Sequence, residues 1–278
     1  MNKKIGFILV LILLSVMMVG IASAGFFDSL GGGNNNNQTA NDNNTFVVGF
    51  EPNIPPFGYK DANGNYTGFD LDLAKKVCKR NNWTFQAQPT NWEAKDSQLN
   101  SGSIDCFWNA FTINGRENDY TWSNPYLNNK QIFVVKSSSN ISNISDLSGK
   151  TVETHKNSTI SAALKSDNKT IANKFSKLNE VENFNKAFKD LESGSCDAVA
   201  MDIGVAQYEI KNTNSSADDF KILNESITTE KYGVAFKKGN DALKDKVQTT
   251  LDEMFKDGTV AKIAEKYGIS EDTLIQPK

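Results

Sequence analysis

Leu99-Asn100-Ser101-Gly102-Ser103-Ile104-Asp105-Cys106 returns 92 residues later as Leu191-Glu192-Ser193-Gly194-Ser195-Cys196-Asp197-Ala198. Each copy reads as the end of a helix, a glycine free to take the left-handed conformation that caps it, and the start of a strand. A unit repeated at that distance predicts two similarly built halves rather than a short-period solenoid. Chance likeness between two helix-to-strand turns is the alternative. Around the two copies, β-rich runs alternate with helical patterns, which predicts an α/β architecture. Residues 45–50 read as the first strand. Residues 70–81 read as an amphipathic helix with Asp70 or Asp72 at its acidic start. Further strands are predicted over 104–110, 131–135, 150–154, 198–201 and 232–236. Leu243, Val247, Leu251, Met254 and Phe255 mark a helix closed near Gly258. Val260, Ile263, Ala264 and Tyr267 mark a shorter one that stops at Gly268.

The 278 residues are 38% hydrophobic and 10% aromatic, enough for one large domain or two small lobes. Thirty basic against 33 acidic residues leave a net charge of −3, which argues against a phosphate-binding basic surface. One histidine and three cysteines argue against a His-rich metal centre or a zinc ribbon, and no metal or cofactor is expected. Cys78 falls on an apolar stripe with Leu73, Ala74 and Val77, while Cys106 and Cys196 read as parts of short strands. Buried thiols are the expectation for all three, with a Cys78–Cys106 bridge as the alternative.

Residues 1–24 carry Lys3 and Lys4, an apolar run from Ile5 to Val19, and then Ala22-Ser23-Ala24. Those are the three parts of a secretory signal peptide. Ile5 to Ala24 is also about the 20 residues that span a bilayer, so an uncleaved membrane anchor is the other reading. Residues 25–44, with Gly31-Gly32-Gly33 and their asparagine tract, read as a tether. Either way the remainder works outside the cytoplasm, in the periplasm or at the cell surface.

In open α/β sheets, ligands sit beyond the carboxyl ends of the strands. After the first copy come Trp108-Asn109-Ala110-Phe111-Thr112 and then Arg116; after the second come Met201 and Asp202. A guanidinium can hold a carboxylate bidentately and a carboxylate can accept from an ammonium. Opposite charges from two halves would suit an amino-acid zwitterion.

Glu51-Pro52-Asn53-Ile54-Pro55-Pro56-Phe57 and Tyr66-Thr67-Gly68-Phe69-Asp70-Leu71-Asp72-Leu73-Ala74 resemble the opening of the polar amino-acid-binding proteins of ABC importers (family 3 extracellular solute-binding proteins). Trp108 through Arg116, Phe133-Val134-Val135-Lys136 and Leu147-Ser148-Gly149-Lys150-Thr151-Val152 continue the likeness. Asp197 through Asp202 and Tyr232-Gly233-Val234-Ala235-Phe236 complete it, so it runs from about 46 to 270. The resemblance implies a two-lobed periplasmic-binding-protein type II fold, two α/β lobes joined by a two-strand hinge with the ligand cleft between them. Lobe 1 would be 45–131 plus 233–278 and lobe 2 would be 132–232.

Carried over residue by residue, the resemblance makes Arg116 the holder of a ligand α-carboxylate, with Thr112 as a hydroxyl contact to the same group. It makes the Ala110 carbonyl and the Asp202 carboxylate the receivers of the α-ammonium. Ser158 and Thr159 fall where lobe 2 donates N–H and hydroxyl groups at a helix start, although either could simply cap that helix. Trp92 falls where an aromatic often covers the ligand, Ile54 where relatives often carry another, and Glu51 at an acidic position that reads a polar or cationic side chain. The stretch 112–116 looks one residue short, which bears on the reach of Arg116. Asn157 stands where a glycine often precedes the Ser/Thr pair; it begins an Asn-x-Thr/Ser glycosylation acceptor and is expected to be unmodified, because a glycan there would block the cleft. His155 reads as an ordinary hydrogen-bonded residue. The implied function is non-enzymatic capture of a polar amino acid, by a monomer, for a membrane ABC permease. A ligand-sensing ectodomain and a cyclohexadienyl-dehydratase-like enzyme, with Glu51 as its acid or base, are the alternatives on the same fold.

Overall fold

The structure, a computed structural model, describes residues 44–166, 169–213 and 215–277. The expected leader, and all of the tether but Asn44, lie outside these residues. β1 (Thr45–Phe50) turns Phe46, Val48 and Phe50 into the core. A small antiparallel meander of β2 (Asn53–Ile54), β3 (Gly58–Lys60) and β4 (Tyr66–Thr67) leads into α1 (Phe69–Arg80), which buries Phe69, Leu73, Val77 and Cys78. β5 (Thr84–Pro89), α2 (Lys95–Ser101), β6 (Cys106–Phe107) and β7 (Thr121–Trp122) follow.

The chain then leaves along β8 (Leu127–Lys136) into β9 (Thr151–His155), α3 (Thr159–Lys165), α4 (Lys169–Ala172) and β10 (Lys177–Val181). α5 (Phe184–Ser193), β11 (Ala198–Asp202) and α6 (Ile203–Asn212) come next. The long β12 (Phe220–Tyr232) returns along β8, and β13 (Ala235–Phe236) joins the first sheet before α7 (Asp241–Lys256) and α8 (Thr259–Lys266).

Two five-stranded sheets result, ordered β5-β1-β6-β13-β7 and β10-β9-β11-β8-β12. They are built alike. In each, one strand (β1 or β9) is flanked by two parallel neighbours, and an antiparallel strand follows the second of these. The central strands of the second sheet, Phe133–Val135 and Ala198–Met201, are wholly buried, the pattern of a sheet covered on both faces.

The repeated octapeptide matches down to its hydrogen bonds. Gly102 and Gly194 take φ of 77° and 80° as left-handed caps of α2 and α5. The Ser103 and Ser195 N–H groups donate back to the carbonyls of Gln98 and Asp190 at 3.0 and 2.8 Å. Asp105 and Val47 then exchange two bonds, Val47 N–H to Asp105 Oδ2 at 2.7 Å and Asp105 N–H to the Val47 carbonyl at 2.8 Å. Asp197 and Thr151 do the same at 2.8 and 2.9 Å. Each aspartate thus fastens a helix-to-strand turn to the strand that has a parallel neighbour on either side in its own sheet.

Several expectations are corrected. The strand expected over 104–110 is only β6, because the chain leaves the ladder at Trp108 and turns at Ala110, which has φ 47°. The strand at 131–135 extends both ways, to 127–136, because β12 pairs along it from Leu127 to Lys136. The expected strand at 232–236 is broken at Gly233-Val234: Tyr232 pairs with Leu127, whereas Ala235 pairs with Phe107 and Trp122 in the other sheet. Asp70 stands with Asp72 in the first turn of α1, as expected. It is buried, accepting the Tyr126 hydroxyl at 2.8 Å and the Ala110 N–H at 2.6 Å. Cys196 lies in the turn before β11, and all three cysteines are free and buried, so no Cys78–Cys106 bridge forms.

A Cβ on Gly102 would meet nothing within 4 Å, so its substitution tests the backbone conformation alone. Gly102→Ala and Gly194→Ala should each lower unfolding stability by roughly 1 kcal/mol, the cost of holding an L-residue left-handed, as read from urea titrations. An unchanged midpoint for both would remove the caps from the account.

Candidate functional site

All nine residues singled out from the sequence line one cavity between the two sheets: Glu51, Ile54, Trp92, Ala110, Thr112, Arg116, Ser158, Thr159 and Asp202. Asn109, His155 and Phe184 line it as well. Glu51 and Ile54 come from the end of β1 and from β2. Asn109 holds that loop, its Oδ1 accepting the Glu51 N–H at 3.0 Å. Trp92 opens a 3-10 turn whose start is capped by Asn91, and its indole meets Phe107 and Phe111 edge to face at 5.8 and 5.2 Å. It is therefore both a packing residue and a wall of the cavity.

Arg116 reaches the site despite the short loop before it. Its guanidinium lies 5.6 Å from the Trp92 ring centre and 5.2 Å from that of Phe111, and its Nη1 donates to the Thr112 carbonyl at 3.4 Å. Burial pushes its pKa down, opposed by Tyr120, Glu230 and other nearby acidic groups. A guanidinium nevertheless stays charged at any ordinary pH.

From the opposite wall, Asn157 takes φ 55°, a left-handed position that asparagine tolerates, which explains how it stands where a glycine was expected. Its Nδ2 donates to Glu93 Oε1 at 3.2 Å across the mouth. Ser158 caps α3, accepting the Ser161 N–H at 3.1 Å and donating to the His155 carbonyl at 2.6 Å, so its hydroxyl is engaged locally. Thr159 Oγ1 accepts from Gln131 Nε2 at 2.7 Å and donates to Glu230 at 3.2 Å. Asp202 ends β11, where Asn129 Nδ2 donates to its Oδ1 at 2.6 Å.

Residues 46–270 match the sequence profile of the bacterial extracellular solute-binding proteins, family 3. The chain belongs to that family. It is 29% identical over 238 residues to a probable histidine-binding protein of Neisseria gonorrhoeae, covering 84% of this chain and 86% of the relative. Among solved structures, a substrate-binding protein of an ABC uptake transporter from Streptococcus pneumoniae, with bound histidine, superposes with a TM-score of 0.78 at 28% identity. That match covers 84% of this chain and 96% of the other. An ancestral arginine-binding protein bound to arginine gives a TM-score of 0.72 at 38% identity, over 81% and 98% of the two chains. The architecture is thus the periplasmic-binding-protein type II fold expected from the sequence. Among the described residues no helix is long and apolar enough to cross a membrane, and no group of potential metal ligands gathers.

For this solute-binding protein the sequence reading missed Glu230. It is 5% exposed, and its carboxylate accepts from Thr112 Oγ1 (2.9 Å), Gln131 Nε2 (3.0 Å), Asn129 Nδ2 (2.8 Å) and Thr159. The signal was the period of two in the paired strands. Leu127, Asn129 and Gln131 face inward on β8, as do Glu230 and Tyr232 on β12, while Asn128, Lys130 and Lys231 face out. His155 was also set aside. It is buried in the cavity wall beside Phe184, its Nε2 3.8 Å from Glu51 Oε1.

Burial raises the Glu51 carboxyl to about 7, with Lys156 opposing, and lowers the His155 imidazole, so both side chains favour their neutral forms. A carboxyl held above its unfolded value binds its proton more tightly when folded. Its contribution to stability is therefore full below about pH 4.5 and lost as pH rises through about 7. Wild-type stability should fall across that window more steeply than that of Glu51→Gln, measured by urea midpoints at successive pH values. Parallel curves would show that Glu51 is not held up.

Proposed function

We propose that this protein captures a polar amino acid in the cavity between its sheets and delivers it to an ABC permease from outside the cytoplasm. The observation that carries the proposal is the polarity of the cavity. Arg116 and Thr112 project from the first-sheet side, and Asp202 projects from the second. A zwitterion laid across them would place its carboxylate on the guanidinium and its ammonium on the carboxylate, each pair strengthened by exclusion of water. Trp92 would cover the ligand, Ile54 would add apolar contact, and the Ala110 carbonyl and Thr159 hydroxyl would complete the polar shell. Glu51 and Asn53 would meet the ligand side chain, favouring a polar or basic one.

In this reading, 45–131 plus 233–278 and 132–232 act as two lobes that close about the β8–β12 ribbon when ligand bridges them. The protein works as a monomer without covalent chemistry, exported by its first 24 residues.

The test is a thermal-shift screen of the full chain against the twenty amino acids and a few non-amino-acid solutes. A ligand selective for the folded state adds about 2.7 kcal/mol at a hundredfold excess over its dissociation constant, well within reach of such a screen. A rise for one or a few polar or basic amino acids is expected. Arg116→Ala should weaken that binding by about 2–5 kcal/mol, as for one partner of a buried charge pair. Asp202→Asn should weaken amino acids and spare a ligand lacking the α-ammonium. A flat response to every amino acid would overturn the proposal in favour of a sensor or a dehydratase acting on another solute.

A further inference from the structure

Asp202 has a carboxylate neighbour that the zwitterion scheme does not use. Asn129 Nδ2 donates to Asp202 Oδ1 at 2.6 Å and to Glu230 Oε1 at 2.8 Å. One amide nitrogen therefore holds an oxygen of each acid, and the two oxygens lie within the sum of those two bonds of one another. The other donors to Glu230 are the hydroxyls of Thr112 and Thr159 and the amide of Gln131, all neutral. Among the described residues no lysine or arginine forms an ion pair with either acid. A buried carboxylate and a partly buried one that share a single amide donor, and that accept otherwise only from neutral groups, do not both ionise readily; one takes up a proton.

Resting on the amino-acid reading of the cavity, we propose that Asp202 and Glu230 together form the ammonium subsite, sharing one proton while the cleft is empty and surrendering it to solvent when a ligand ammonium enters. The balance is simple. The ammonium arrives with its charge, no covalent bond to the ligand forms, and the O–H bond of the shared acid breaks, its proton passing to a water or buffer base. Glu230 is then a specificity-determining residue. It disfavours ligands that bring no cation to the pair, because these leave the proton in place and gain nothing from the second carboxylate.

The surroundings agree. From the first-sheet side the Arg116 guanidinium is near enough to interact with Glu230. That positive charge is the one a ligand carboxylate would occupy, leaving the ammonium to balance the acids. On β12 itself the buried Tyr232 phenol interacts with both acids, and behind it stand Tyr126 and Asp70. His155 and Glu51 line the same cavity, and both favour the neutral state. β8 and α3 contribute only Asn129, Gln131 and Thr159. Burial, followed by Glu230, pushes the Asp202 carboxyl well above the usual carboxylate range.

The experiment is titration calorimetry of the full chain at pH 7 in phosphate and in Tris, whose ionisation heats differ widely. The probes are L-glutamine, which brings no side-chain charge to Glu51, and L-arginine. Release of up to about one proton per ligand is expected, falling toward zero in Glu230→Gln. Binding whose heat is the same in both buffers would overturn the shared proton and leave amino-acid capture standing.

A second arm needs no ligand and decides the point even where neither probe binds, which would count against the amino-acid reading instead. Carboxyl carbon-13 resonances of the empty protein are followed with pH. Besides the carboxyls of Glu51 and Asp70, which burial also holds high, one further carboxyl should stay protonated well above the ordinary range in wild type and return toward it in Glu230→Gln. Asp202→Asn, removing the other member, should do the same should the first variant fold poorly. The pairing would be overturned if no carboxyl besides those of Glu51 and Asp70 titrated high, or if neither variant moved any of the high-titrating carboxyls.

Discussion

The cleft depends on one stretch of antiparallel pairing, where β12 lies along β8 with Glu230 opposite Asn129 and Tyr232 opposite Leu127. These two strands carry the chain out of the first sheet and back again. Side chains on paired strands alternate strictly, so the register that turns Leu127 and Tyr232 into the core also sets Asn129, Gln131 and Glu230 against the cavity-lining Asp202, Thr159 and Thr112. A slip of one residue would replace them with Asn128, Lys130 and Lys231 and empty the floor of its acceptors. The ribbon therefore sets both the route between the sheets and the polarity of what lies above it.

The two halves were legible from the octapeptide because its message is local. A left-handed glycine, a serine on either side and an aspartate three residues on specify one turn, and the chain writes it twice. The exchange of bonds between Asp105 and Val47, and between Asp197 and Thr151, was not legible, since the partners lie 58 and 46 residues away. The same limit hid the break after Tyr232: an apolar run says that residues are buried but not in which sheet. The candidate residues that line the cavity were picked out largely through their resemblance to a known pattern, and Asn157 departs from it without changing the backbone, because asparagine can adopt a left-handed conformation. Glu230 went unread because a lone acid between threonine and lysine looks solvated until its strand is paired.

The cavity is expensive to maintain in the folded protein. Glu51 and Asp202 line it, and Glu230 lies behind Thr112 and Thr159 in its wall, with few cations close by; burial raises both Glu51 and Asp202. Arg116 is in turn held in a largely buried position against aromatic faces rather than by an ion pair of its own. Groups left wanting opposite charge are poorly suited to stabilising a fold, and well suited to a site whose counter-charges arrive with a ligand. The fastening of each sheet is left to other residues, the repeated aspartates and the buried Asp70–Tyr126 pair among them.

The placement of Trp92 has an optical consequence. Its indole packs edge-on against two phenyl rings while a guanidinium lies near its face, and that charge imposes a field on the ring's excited state. Any event that neutralises or shifts the Arg116 guanidinium alters the field, and with it the colour and yield of the tryptophan's emission. Under the proposed binding of a ligand carboxylate at Arg116, Trp92 would act as a fluorescent gauge of occupancy, set into the wall of the cavity without any added label.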